Sequence, residues 1–306
     1  MIYCRTGSSN HPKLFCAHLD TVEPGRGVSI KEEDGYLVSE GKTIIAGDNK
    51  VNLACILYSI GKLIEENKDA DVELLFSVRE ETDSGIQAIT RSLISSKVGF
   101  VYDLGGAGNF SDVVINAPTI WDFKVEITGK SSHGARPEEG VNVLEGFLNL
   151  KGKLKLGRLD KFSTLNIGII RGGDATNTVP GFLKLEGDIR STDSEIFEVH
   201  KKELEKTLKS IEKNNNLKVN LIWIPYAYGY SLDLDSQNYN KLKQLYKDEF
   251  NISLNNKTVT SGSDAGFLNY IGVETFCLGY CVENSHSVNE RIRISDFTKL
   301  QQIVKS

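Results

Sequence analysis

The residues with the most chemistry in this chain stand at the ends of short apolar runs. His18 lies in Ala17-His18-Leu19-Asp20-Thr21-Val22, directly after Leu14 to Ala17. Residues two apart in an extended chain point the same way, so Asp20 is placed to reach the His18 imidazole and fix its tautomer. A lone His-x-Asp triplet is more often a solvated or satisfied structural pair. Gly47-Asp48-Asn49-Lys50 precedes a helical pattern, where Asp and Asn also serve as ordinary N-caps. Arg79-Glu80-Glu81-Thr82 follows the strand-like Leu74 to Val78. Adjacent carboxylates repel and a cation relieves the repulsion, so one acid can hold a metal while the other acts as base toward a water. The plain alternative is a solvated acidic turn. Asp103 ends another apolar run in Tyr102-Asp103-Leu104-Gly105-Gly106, and His286 sits in the polar loop from Gly279 to Ser287. Taken together these clusters offer two imidazoles and several carboxylates with no thiolate, the ligand set of a paired catalytic zinc site.

The elements that must position these groups alternate strand and helix. Leu14 to Ala17 predicts a buried strand, Val51 to Glu66 a helix, Val72 to Val78 a strand, Gly85 to Ile94 a helix and Gly99 to Leu104 a strand. From about Ala117 the order changes. Trp121 to Thr128 predicts a strand, Gly140 to Leu156 a helix, Leu165 to Ile170 and Phe182 to Ile189 strands, Ser194 to Asn214 a long helix and Leu217 to Ile224 a strand. That β-α-β-β-α-β order is the split βαβ pattern of ferredoxin-like domains. The first pattern then resumes, with a helix from Tyr239 to Phe250, a short strand at Val259, a helix after Asp264, a strand from Val273 to Leu278 and a last helix from Ser295. The expected fold is α/β: a mixed sheet flanked by helices, formed by residues 1–116 and 228–306, with an α+β domain inserted at 117–227. In open α/β sheets, sites form beyond the carboxyl ends of the strands, which is where the acids and histidines fall.

Composition narrows the field of functions. A chain of 306 residues with 40% hydrophobic and 25% charged residues is an ordinary globular protein. Its net charge of −5, with no basic stripe, argues against nucleic-acid binding. No apolar run approaches the roughly 20 residues of a membrane helix, and Met1-Ile2-Tyr3-Cys4-Arg5 lacks the order of a signal peptide. The 5 cysteines are an odd number in apolar surroundings, which suits reduced thiols in the cytoplasm; Cys277 and Cys281 read as small buried hydrophobes.

Read in order, His18-Leu19-Asp20-Thr21-Val22, Gly47-Asp48-Asn49-Lys50, Glu80-Glu81, Asp103, Gly129-Lys130-Ser131-Ser132-His133, the run from Gly172 to Pro180, Asp188-Ile189-Arg190, Gly262-Ser263-Asp264 and His286 resemble the metallopeptidase family of peptidase T, carboxypeptidase G and aminoacylase. Leu156-Gly157-Arg158-Leu159-Asp160 resembles the peptidase T branch most. The resemblance implies that His18 and Asp103 hold one divalent metal, that Glu81 and His286 hold another, and that Asp48 bridges the two. The implied metal is zinc, with cobalt or manganese as alternatives. It further implies that Asp20 orients His18 and that Glu80 is the general base. His133 matches a histidine that, in the family, reaches across a homodimer formed through the inserted domain. Arg190, Asn177, Gly172 and Gly173 match positions that hold the substrate, a small peptide. Carboxypeptidase and N-acyl-amino-acid deacylase activity stay open, as does a degenerate, metal-free scaffold. The family carries a further helix and strands ahead of the His-x-Asp block, so the resemblance leads one to expect a shortened member or additional upstream chain.

Overall fold

The computed structural model describes residues 1–66, 68, 70–104, 109–150 and 153–305. The expectation for Gly105 and Gly106 lies outside these residues. The chain divides into two compact units, one made of Met1–Ala117 and Tyr230–Ser306, the other of Pro118–Gly229.

The first unit is built on an 8-stranded mixed sheet. At its centre run four strands that are parallel to one another: Val72–Ser77, Lys13–His18, Val98–Leu104 and Glu274–Gly279. Strands buried on both faces need apolar side chains at nearly every position. Lys13–His18 meets that need from Leu14 to Ala17 and is buried after Lys13, while Val72–Ser77 is fully buried with Glu73 and Ser77 as its polar residues. Ile2–Arg5 closes one edge antiparallel to Val72–Ser77. Asp112–Ala117 pairs antiparallel with Glu274–Gly279 on the other side. Gly279 is required there, because a Cβ would lie 1.9 Å from the Asn109 carbonyl oxygen.

Helix Gly47–Glu65 buries Val51, Asn52, Cys55, Ile56, Ser59 and Ile60, a three-to-four spacing that makes one continuous face. Part of that face meets the last helix, Ile294–Lys305, where the Ser59 hydroxyl donates to the Gln301 carbonyl at 3.0 Å. Ile56 is fully buried in this core, so truncation to alanine costs about 2–5 kcal/mol. A small antiparallel sheet, in the order Val282–Glu283, Arg291–Arg293, Tyr36–Ser39 and Ile30–Glu33, completes the unit.

In the second unit the strands Ser163–Gly172, Phe182–Ser191, Thr119–Thr128 and Lys218–Ala227 are neighbours in that order, all antiparallel, with the two-residue strand Gly157–Arg158 beyond the first. Helix Ser194–Asn215 begins where the Asp193 carboxylate accepts from the Glu195 and Ile196 amides. Its Phe197, Leu204, Leu208 and Ile211 pack in a core with Phe123, Val125, Leu183 and Leu185 of the sheet.

Two expected helices differ. Residues 85–94 form two short 3-10 turns, Gly85–Ala88 and Arg91–Leu93, with Ile89 and Thr90 extended between them. The buried Ile86, Ile89 and Ile94 satisfy the apolar spacing without a continuous helix, and β-branched residues give a helix little support. Of the described residues in 140–156, only Val143–Leu148 is α-helical. Asn142 caps it by accepting from the Leu144 amide at 3.0 Å, which fixes a later start. The strands Ile2–Arg5, Ile30–Glu33, Tyr36–Ser39 and Asp112–Ala117 carry too weak an alternation to be expected from sequence.

Candidate metal centre

Because the four central strands are parallel, their carboxyl ends share one edge of the sheet. His18 is the last residue of its strand, Asp103 the second-last of its own, Glu80 and Glu81 follow Ser77, and the loop carrying His286 follows Gly279. Asp48 comes to the same place from the start of helix Gly47–Glu65. Asp48 and Asn49 have non-helical backbone there, their peptide bond is cis, and the N-cap residue is Ala46, which makes no side-chain cap. The N-cap explanation for Asp48 is therefore not what the fold uses. Its carboxylate faces inward, and the residue is only 8% exposed.

The groups converge closely. His18 Nε2 lies 3.3 Å from Asp48 Oδ1 and 3.7 Å from Asp103 Oδ1. His286 Nε2 lies 3.5 Å from Asp48 Oδ2 and 3.0 Å from Glu81 Oε1. His18, Asp48 and Asp103 form one group with ligand atoms within 4.8 Å of one another, and Asp48, Glu81 and His286 form another, so the two groups share Asp48. A third group of the same kind joins His18 to Glu80 and Glu81.

Asp20 does two things. Its backbone carbonyl lies 3.1 Å from His18 Nδ1 and its carboxylate 3.7 Å from the same atom. The carboxylate oxygens also accept from the Glu80 amide at 3.2 Å and the Glu81 amide at 3.1 Å. One side chain thus links the His18 strand end to the Glu80-Glu81 turn. Ala46, Arg79 and His286 hold left-handed backbone at φ of 58°, 64° and 64°. Such non-glycine conformations cost of order 1–3 kcal/mol each and persist where the surroundings impose them, as at ligand-holding loops.

The electrostatics are those of acids crowded out of water. Burial, then Asp103 and Asp264, push the Glu80 carboxyl up to about 10. Burial also pushes Asp103 up to about 7, although His18 opposes it. His286 is raised to about 9 by its hydrogen bond to Asp48. Burial alone would strip the proton from His18, yet Asp103, Asp20 and Asp48 hold it on. Asp48 is itself held far below the ordinary carboxylate range, because His18 and His286 outweigh its burial. Without a cation, such a cluster must retain protons. Divalent ions would displace them and neutralise the same charge, and oxygen and imidazole nitrogen are the donors zinc accepts. The residues present therefore fit a pair of divalent metal ions.

Several contributors could not be read from the sequence. Tyr280 donates its hydroxyl to Asp48 Oδ1 at 2.8 Å. Asn49 Nδ2 donates to Asp103 Oδ1 at 3.0 Å and to the Tyr102 carbonyl at 2.8 Å. Asp264, buried beneath the strand ends, accepts from the Ser77 hydroxyl and lies 3.7 Å from Cys16 Sγ. The signal that was available for Asp264 was its place in Gly262-Ser263-Asp264; Tyr280 and Asn49 had only their neighbours.

His133, Asn177, Gly172, Gly173 and Arg190 belong to the second unit. Ser132–His133 pairs with Thr178–Val179, and the Asn177 carbonyl accepts from the Gly134 amide at 2.7 Å, so His133 and Asn177 are neighbours. Gly172 pairs with Leu183, where a Cβ would meet the Phe182 carbonyl oxygen at 2.6 Å. Gly173 follows with a φ of 77°. Arg190 Nε lies 2.7 Å from Asp188 Oδ2.

Comparison with known proteins places this architecture. Over 99% of this chain and 82% of the other, the fold matches aminopeptidase PepT of Bacillus cereus with a TM-score of 0.85 and 27% identity. A tripeptidase of Staphylococcus aureus matches over 99% and 83% with a TM-score of 0.86 and 27% identity. In sequence, the uncharacterised protein YqjE of Bacillus subtilis is 28% identical over 95% of this chain and 78% of its own length. Succinyl-diaminopimelate desuccinylase of Rickettsia bellii is 24% identical over 99% and 82%. The sequence pattern of Peptidase family M20/M25/M40 matches residues 14–306, so the chain belongs to that family of metallopeptidases and is an enzyme of its hydrolase chemistry.

Proposed function

We propose that the chain is a two-metal hydrolase of short peptides, a peptidase T-like aminopeptidase that acts in the cytoplasm as a homodimer formed through residues 117–227. The observation that carries this reading is the pair of ligand groups joined at Asp48. His18 and Asp103 would hold one ion, Glu81 and His286 the other, and Asp48 both, with zinc the expected metal and cobalt or manganese substitutes. When bound, such a pair lowers the pKa of a water toward ~7 and polarises the scissile carbonyl. Glu80 is the residue left to move protons. With cations bound beside it, its raised carboxyl would come back down, and in that state it takes one from the water and returns it to the leaving amine. Asp20 orients His18 and fixes the Glu80-Glu81 turn.

His133 of a second copy is the candidate donor to the oxyanion, and Arg190, Asn177, Gly172 and Gly173 are candidates for holding the substrate backbone or carboxylate. The PepT and tripeptidase structures support the peptide substrate. A second reading, hydrolysis of an N-acyl amino acid, is favoured by the similarity to the desuccinylase. The scaffold reading is disfavoured, since all seven site residues are present and gathered in one place. Five free cysteines suit a reducing compartment, and among the described residues no helix is long and apolar enough to cross a membrane.

Metal analysis together with a panel of tripeptides, dipeptides and N-acyl amino acids tests the proposal. Two zinc equivalents per chain and fastest release of the N-terminal residue from tripeptides are expected. No metal uptake overturns the hydrolase, and exclusive cleavage of acyl amino acids replaces the aminopeptidase with the deacylase.

A further inference from the structure

We propose that Glu290 is a positioning residue that holds Asp48 and His286 in register with each other. Glu290 is a buried acid, 2% exposed, at a place where an unpaired charge would be costly. Its carboxylate accepts from the Ala46 amide at 2.9 Å and the Asp48 amide at 3.0 Å, and the Gly47 amide contributes as well. These are the amides at the start of helix Gly47–Glu65, which no side chain caps from within. Three successive N–H groups aimed at one carboxylate fix the left-handed turn at Ala46 and, through it, the direction in which the Asp48 carboxylate leaves the backbone.

The other end of Glu290 is tied to the His286 loop. Its own amide donates to the Ser287 carbonyl at 2.9 Å, closing the turn that follows His286, and Arg291–Arg293 begins immediately after it. A single residue therefore joins the backbone that presents Asp48 to the backbone that presents His286, whose side chains lie 3.5 Å apart in one ligand group. The hydrogen bonds of the Glu290 carboxylate go to backbone amides and not to those two side chains. Glu290 acts by setting the distance between them, and the group that includes Glu81 depends on that distance more than the group of His18 and Asp103 does.

The inference rests on the paired-metal reading above, and the test separates the two. Metal-free wild type and Glu290→Gln are titrated with zinc and, separately, with cobalt followed by visible absorption. Replacing the carboxylate with an amide leaves at least one of the loop amides without an acceptor. One of the two equivalents should bind about 10–100-fold more weakly, as for other partners behind metal ligands, and the cobalt spectrum should change. Should Glu290→Gln not fold, Glu290→Asp keeps the charge but falls a methylene short, and the same selective loss is expected. Wild-type affinity for both equivalents, or a drop in thermal stability with an unchanged cobalt spectrum, overturns the positioning role. Failure of the wild type itself to take up metal is a different result, and it overturns the hydrolase reading instead.

Discussion

The Tyr280 hydroxyl donates to Asp48 Oδ1 at 2.8 Å, and both residues are buried. A phenol in that position fixes the rotation of the carboxylate shared by the two ligand groups. Tyr280→Phe keeps the ring and removes only the donor, so the core should survive with a loss of about 0.5–1.5 kcal/mol. Metal affinity should fall by about 10–100-fold, read by zinc titration of the metal-free protein. Unchanged affinity would show that Asp48 is oriented without Tyr280.

Glu80→Gln separates ligand from base. Glu80 stands next to Glu81 but takes no part in either of the groups that share Asp48. The amide is nearly isosteric and cannot accept a proton from water, so both metal equivalents should remain while peptide turnover falls by at least the roughly 100–10,000-fold of a lost general base. Metal content by elemental analysis and kcat on a tripeptide are the two readings. Activity near that of the wild type would remove Glu80 from the mechanism.

Away from the site, Glu73 gives the fold a measurable response to acid. It is fully buried and accepts from the Ser95 and Ser96 amides, both at 2.8 Å, and from the Tyr3 hydroxyl at 2.7 Å. Burial raises its carboxyl, but Ser96, Ser95 and Tyr3 together leave it below the ordinary value. A depressed folded-state pKa means the contribution is present above about pH 4.3, the ordinary value of Glu, and is lost as pH falls through the folded-state value. The wild type should lose stability there in urea unfolding, and Glu73→Gln should be less stable at neutral pH with a flatter acid limb. Tyr3 works in the opposite sense, since burial and Glu73 push its phenol up to about 12. Its contribution is present below its ordinary value and lost as pH rises through about 12, so Tyr3→Phe should flatten the alkaline limb.

What the sequence made legible follows from chain distance and residue type. His18, Glu81 and Asp103 are chemically distinctive and follow strongly apolar strands, so their type and their place beyond the carboxyl ends were legible, whereas Asp48, which alone reads as a helix cap, and His286, which alone reads as an ordinary loop histidine, were joined to them by the family resemblance. Glu290 and Tyr280 reach the Asp48 loop from 242 and 232 residues away, through contacts that no local pattern records. Glu290 also sits in the ordinary-looking run Asn289-Glu290-Arg291, where a solvated charge is the natural reading. The stretch from Gly85 to Ile94 shows the same limit for secondary structure. Ile86 and Ile89, three apart, suit a helix face, yet the same residues with Ile94 are buried just as well by two 3-10 turns and the extended residues beside them.

His133 gives the assembly a functional test. It is exposed in its own unit, and its ring Nδ1 accepts from the Ala135 amide at 3.1 Å, which leaves Nε2 as the donor in the neutral ring. If that donor serves the site of a second copy, His133→Ala and Glu80→Gln each disable a different half of every composite site. Both variants alone should be nearly inactive. Unfolded together and refolded as a mixture, they should regain part of the wild-type rate, because some dimers then combine an intact Glu80 site with an intact His133. The rate should rise with the fraction of mixed dimers, followed by native mass spectrometry. A mixture no more active than its components, with mixed dimers present, would place His133 outside the reaction or in the site of its own chain.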